Sequence, residues 1–283
     1  MRRFARLQAL VLGSVVFSAC ALEEVVTTEA IPTAGVRFIN AVPDSAGAFG
    51  LDFRFVDLVE SNAHFRITFR NGPTTAAGVT AATLTQFKNA RAGSRNFVIF
   101  LDDTLQTIAS TKLKDTTVTL EAGKNYTAIL WGAARLGAMK LTFFEDVPAD
   151  PGANVALRVI NATAAPIDVR QYVQGGTAPA TATWANVGAL SASAFVTTAP
   201  GNIMYNVRAA GAATNLFADM LALPGQANTV DIEGTPGTTR AGSAVTLIVF
   251  PPSTPGARTP QTAAFLVPAG AFVWDRRPPR TSP

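Results

Sequence analysis

From residue 35 onward the apolar positions recur every second residue. Phe65, Ile67 and Phe69 alternate with His64, Arg66, Thr68 and Arg70, and Leu51, Phe53 and Phe55 alternate with Asp52 and Arg54. Period two places successive side chains on opposite faces of an extended chain, so each run predicts a strand with one buried and one wet face. The same pattern predicts strands at 35–41, 94–101, 105–111, 116–120, 125–131 and 138–144, parted by Asp102-Asp103, Ala122-Gly123 and Gly132. It continues at 155–161, 167–173, 193–198, 203–209, 227–232, 243–250 and 263–267. No long stripe of helical period interrupts it. Short strands at this spacing predict an all-β chain built of sandwiches.

An internal repeat sets the organisation. Val36-Arg37-Phe38-Ile39-Asn40-Ala41 matches Leu157-Arg158-Val159-Ile160-Asn161-Ala162. Each copy continues through a Pro-containing loop into a second alternating strand, Leu51-Asp52-Phe53-Arg54 in one and Ile167-Asp168-Val169-Arg170 in the other. Pro148-Ala149-Asp150-Pro151-Gly152 lies between the copies as a breaker cluster. The expected organisation is a signal peptide at 1–19, a tether at 20–34, sandwich domains at 35–148 and 153–252, and a C-terminal strand with a basic tail at 253–283.

The N-terminus carries a targeting pattern. Arg2, Arg3 and Arg6 precede the apolar run Leu7 to Phe17, and Val16-Phe17-Ser18-Ala19-Cys20 closes it. A charged region followed by a run of this length reads as a signal peptide and is too short to span a bilayer. Small residues before a cysteine resemble the bacterial lipobox. That resemblance implies cleavage before Cys20, acylation of its thiol, and a protein held on a membrane, with Ala21 favouring the outer membrane or cell surface. Ordinary secretory cleavage after Ala21 is the alternative, since Ala19-Cys20-Ala21 also has the small-x-small form.

Composition narrows the chemistry. Apolar residues make up 48% of the chain and charged residues 15%, enough for a core and against a disordered tail. One His and one Cys exclude a disulfide framework and a Cys/His zinc site. The formal charge is +4, but three of the 23 basic side chains leave with the leader, and 275–283 holds three arginines against one aspartate. The basic excess therefore sits at the two ends, and a nucleic-acid partner is not expected.

Further motifs in the sequence resemble a known family. The [VL]-R-x-I-N-A start, the Pro-bearing loop, the x-Asp-[VF] strand and Leu120-Glu121-Ala122-Gly123-Lys124-Asn125-Tyr126-Thr127-Ala128-Ile129 are similar to the DUF4397 domain, an extracytoplasmic bacterial module of unassigned function. The resemblance implies two tandem immunoglobulin- or transthyretin-like sandwiches and carries over no catalytic residue, cofactor or metal.

His64 reads as a solvated strand residue, because no Gly-x-Ser-x-Gly elbow accompanies it. Asp102-Asp103 reads as a turn before a calcium loop. Arg37, Arg54, Arg158 and Arg170 are expected on outward positions, pairing with aspartates such as Asp52 and Asp168 or forming a polyanion stripe. The loop 43–50, with Asp44 and Phe49, is the candidate contact surface. The expected function is a non-enzymatic, lipid-anchored envelope module, structural or adhesive, with an envelope protein or glycan as partner. The alternatives are a glycan or small-ligand binder, for which Trp131, Trp184 and Trp274 are the aromatics to inspect, and a carboxylate-dependent hydrolase using Asp44, Asp52 or Glu60.

Overall fold

The computed structural model describes residues 30–45, 50–58, 66–71, 74–75, 78–79, 87–146, 148–229 and 233–279. Contacts divide the chain at residue 32, and residues 32–283 form one compact unit. The first part of that unit contains β1 (Thr33–Ala41), β2 (Leu51–Phe55), β3 (Arg66–Ile67), a short turn of 3-10 helix at Phe69–Asn71, β4 (Thr74–Thr75), β5 (Gly78–Val79), β6 (Lys88–Arg91) and β7 (Gly93–Leu101). After α1 (Gln106–Ala109) come β8 (Lys112–Leu120), β9 (Asn125–Trp131) and β10 (Lys140–Glu145). The second part contains β11 (Val155–Asn161), β12 (Ile167–Val173), β13 (Trp184–Val187), β14 (Ser191–Ala192) and β15 (Val196–Thr198). It ends with β16 (Ile203–Ala209), β17 (Met220–Leu221), β18 (Ala244–Phe250) and β19 (Ala269–Arg276).

The chain is all-β, as the period-two pattern predicts. Four sheets stack in the order β3-β2-β7-β8, β10-β9-β1-β6, β14/β15-β11-β18-β19 and β13-β12-β16-β17. The outer pairs each enclose an apolar core. In the first, Phe53, Phe97 and Ile99 meet Phe38 and Leu130, and Val36 packs with Leu120, Phe55 and Val118, with Phe38 and Phe97 stacked at 5.5 Å. In the other, Leu157, Val159, Val245 and Leu247 meet Val169, Tyr205 and Val207.

The third core joins the two middle sheets. Ile39, Ala41, Ile129 and Trp131 pack there against Ile160, Ala162, Ile248, Phe250, Ala271 and Val273. The middle strands are thus covered on both faces, which explains why β1 and β11 are apolar at both parities, Val36 and Phe38 facing one way and Ile39 and Ala41 the other. Register repeats as well. β1 runs parallel to β9 with Arg37 opposite Thr127, and β11 runs parallel to β18 with Arg158 opposite Thr246.

The asparagine repeated in the two arginine motifs has a local task in each. Asn40 Oδ1 accepts the Val42 N–H and its amide donates to Ile67 O. Asn161 Oδ1 likewise accepts from Thr163, and its amide reaches Ala165, Val187 and Gly188 carbonyls. Each ends its strand with a side-chain turn and ties the exit to a neighbouring segment.

Several boundaries differ from the sequence expectation. The stretch predicted as a strand at 105–111 holds α1, and 263–267 is a turn. The C-terminal strand lies later, at Ala269–Arg276, where it pairs antiparallel with β18 along its length. Of the strand expected at 227–232, residues 227–229 form none, since Asn228 Oδ1 accepts the Gly234 N–H in a loop that Gln226 closes on Thr235 O, and 230–232 lie outside the described residues.

Candidate functional site

The two repeated arginines occupy the joint between the middle sheets, not wet faces, which corrects the outward placement expected for Arg37 and Arg158. Arg37 is 2% exposed and Arg158 4%. Arg37 Nε donates to Thr127 Oγ1 at 2.8 Å, Nη1 to Trp274 O at 3.0 Å, and Nη2 to Asp275 Oδ1 at 2.5 Å and Asp146 Oδ2 at 3.2 Å. Arg158 repeats the pattern, Nε to Thr246 Oγ1 at 3.0 Å and Nη2 to Asp146 Oδ1 at 2.6 Å and Asp275 Oδ1 at 3.3 Å. The Thr127 hydroxyl donates to Asp146 and the Thr246 hydroxyl to Asp275. Phe87 and Phe195 lie against the two guanidiniums, each 4.5 Å from ring centroid to Cζ.

Two cations and two anions make the cluster neutral, and each aspartate is shared by an arginine from either part of the unit. Burial pushes the Asp146 carboxyl above the usual carboxylate range, and the facing Asp275 charge adds to this against the pull of Arg37 and Arg158. The reason the sequence misplaces these arginines is the covered second face of β1 and β11. A lone arginine within an apolar run, repeated at the same offset, was the available signal.

Of the other expected pairs, Arg54 Nε does meet Asp52 Oδ2, at 2.5 Å, with the Arg54 side chain half exposed. Arg170 and Asp168 make no such ion pair. Asp168 instead accepts the N–H groups of Asn186 at 2.8 Å and Gly211 at 3.0 Å, which hold its carboxyl below the usual carboxylate range. A carboxylate favoured in the folded state stabilises above the ordinary pKa of 3.8, and that contribution is lost as pH falls through the depressed folded value. Asp168→Asn is therefore expected to be less stable than the parent at neutral pH, with the gap closing in strong acid, as read by urea unfolding across pH.

Asp44 is buried, and both its oxygens accept backbone N–H groups, from Ala134 at 2.8 Å and Arg135 at 2.9 Å. This carboxylate ties the loop after β1 to the loop after β9 and is not presented to a partner, contrary to the contact role expected of it. Phe49, Cys20, His64 and Glu60 lie outside the described residues. Asp103 Oδ1 accepts the Leu105 N–H, a side-chain turn as expected. Among the described residues no group of three or more His, Cys, Asp or Glu side chains could hold a metal ion.

The three tryptophans share no face. Trp131 lies in the central joint, Trp184 stacks on Tyr205 at 5.9 Å in the second outer core, and Trp274 is half-buried between Phe87 and Arg277. The basic end is also engaged, with Arg276 on Asp150 at 2.5 Å and Arg277 near Glu233 at 3.6 Å.

Sequence reasoning missed two arrangements. Arg70 is fully buried at φ 60°, and its guanidinium donates to the carbonyls of Pro251, Ala264, Phe265 and Val267. Burial alone pulls its pKa down to about 10. The second is the outer face of β12 and β16, where Tyr172, Asn206 and Asn215 all donate to Asp219. That hydrogen bond to Asp219 raises the Tyr172 phenol to about 12, so the hydroxyl keeps its proton.

These features define a layered all-β protein whose two middle sheets are joined by an apolar core and a buried four-residue ion cluster. Residues 34–172 match the family model described as a domain of unknown function, DUF4397, a span that runs from β1 through β12 and takes in both arginine motifs. No curated protein matches the chain.

Proposed function

We propose that the chain is a non-enzymatic protein of the bacterial envelope, lipid-anchored through Cys20 at the outer membrane or cell surface, whose folded unit is a rigid structural or adhesive binding module. The observation that carries this reading is the buried Arg37–Asp146–Arg158–Asp275 cluster, which commits four ionisable groups to fixing two sheet pairs on each other. The matching registers of Arg37 with Thr127 and Arg158 with Thr246 support two copies of the DUF4397 domain, the second including β19. Adhesion has support in β8, a nine-residue strand whose outer edge pairs with no described strand. Such an edge offers backbone N–H and C=O groups for strand addition.

The anchor is tested by Cys20→Ser. Fatty-acid labelling is expected to disappear and the protein to move from the membrane to the soluble fraction, because acyl chains supply the attachment. Labelling unchanged by the substitution would refute the anchor.

A second reading, binding of a glycan or small ligand, is favoured by one observation. The polar outer face of β12 and β16 is roofed by the segments carrying Ala180 and Asp219, so Arg170 and Asn206 are buried there.

A further inference from the structure

Among the described residues no carboxylate forms an ion pair with the two guanidiniums on the outer face of β12 and β16, although the Asp168 charge acts on that of Arg170. Register sets the arrangement, with Asp168 opposite Arg208, Arg170 opposite Asn206 and Tyr172 opposite Met204. The intervening residues Ile167, Val169, Tyr205 and Val207 face the apolar core. Arg170 and Arg208 are diagonal neighbours across the pair, roughly 7–8 Å apart at the backbone.

Both nearby carboxylates are engaged elsewhere. Asp168 accepts from the Asn186 and Gly211 backbone, and Asp219 accepts the Tyr172 hydroxyl at 2.5 Å, the Asn206 amide at 2.7 Å and the Asn215 amide at 2.9 Å. Arg208 uses Nε on the amide oxygens of Asn206 and Asn215. Arg170 makes one bond, Nε to Ala180 O at 3.3 Å. Its residue is 7% exposed, and its Nη1 is buried with no acceptor.

A desolvated guanidinium nitrogen without an acceptor is rare in a native fold and calls for one. The acceptor that matches its charge and fork geometry is an oxyanion. The Asn215 amide and the Asp219 oxygens beside it can bond hydroxyls, which points to an oxyanion carried on a hydroxyl-rich body.

We propose that this face binds an oxyanion, held by Arg170 and Arg208, with Tyr172, Asn206, Asn215 and Asp219 arranged around the hydroxyls beside it. The inference rests on the small-ligand reading above and supplies its chemistry. The anion is the carboxylate of a sugar acid or a phosphoryl group, and the test separates the two.

Glucuronate, glucose and inorganic phosphate are titrated calorimetrically into the full chain, its Arg208→Gln variant and its Arg170→Gln variant. At least one anion is expected to bind saturably while glucose does not, and each substitution is expected to weaken binding at least about tenfold, the scale of a lost charge-assisted hydrogen bond. Tighter binding of glucuronate assigns the carboxylate, and tighter binding of phosphate assigns the phosphoryl group. Arg208 is partly exposed, so Arg208→Gln decides the matter if Arg170→Gln does not fold. Absence of binding by both anions up to the millimolar range, or affinity unchanged in Arg208→Gln, would overturn the site. Membrane attachment through Cys20 is read separately by fractionation, so failure of one result leaves the other standing.

Discussion

Asp275→Ala destabilises residues 32–283 by about 3–5 kcal/mol in urea unfolding, because it leaves buried positive charge with half its compensation. Arg37 loses its 2.5 Å partner, Arg158 loses one of its two carboxylates, and the Thr246 hydroxyl loses its acceptor. Asp146 alone cannot balance two guanidiniums in a site from which water is excluded. Pseudo-symmetry gives a companion result, a loss of similar size for Asp146→Ala. Removing all four charges together, with Arg37→Met, Arg158→Met, Asp146→Leu and Asp275→Leu, is expected to recover most of the stability, since apolar replacement of a whole buried ion cluster is often neutral or favourable. Recovery would separate the cost of an unbalanced charge from any intrinsic need for charge at the joint.

Arg70→Ala produces the second large effect, a loss of about 3 kcal/mol or more, because several buried carbonyls lose their donor at once. The guanidinium bonds Pro251, Ala264, Phe265 and Val267, and it lies over the Phe69 and Phe265 rings at 5.1 and 5.5 Å. All four carbonyls belong to the long connection between β18 and β19. Its release is therefore expected to show as rapid proteolysis within 251–268, alongside the lower urea midpoint. Arg70→Lys is not a conservative replacement, because an ammonium group cannot reproduce the planar fork. It is expected to recover only part of the loss.

The strands were legible in the sequence wherever one face is wet or where apolar residues run continuously between turns. Those expected at 35–41, 94–101, 125–131, 155–161, 167–173, 203–209 and 243–250 are found within a few residues of their predicted ends. The repeat was legible too, in the motifs around Arg37 and Arg158. What those motifs do was not. Alternation reports which side chains share a face but not how many layers cover it, so a buried arginine in a central strand reads like a solvated one at an edge.

The same limit applies to Asp44 and Arg70. Asp44 has the composition of an exposed turn, and its two backbone donors lie 90 residues or more away in sequence. Arg70 sits at the end of an alternating stretch, and its acceptors follow it by more than 180 residues. Partners at such separations leave no local mark in the chain. Residues 105–111 show a different failure, since a short apolar run fits a turn of helix as readily as a strand.

The two sheet pairs are expected to fold as one body, because the apolar core around Ile39, Trp131, Ile160 and Phe250 and the buried Arg37–Asp146–Arg158–Asp275 cluster join them. Differential scanning calorimetry of the full chain tests this, since a single cooperative unit has equal calorimetric and van't Hoff enthalpies. One endotherm with matching enthalpies, shifted as a whole by Asp275→Ala, is the predicted result. Two endotherms, or a shift confined to one of them, would contradict it.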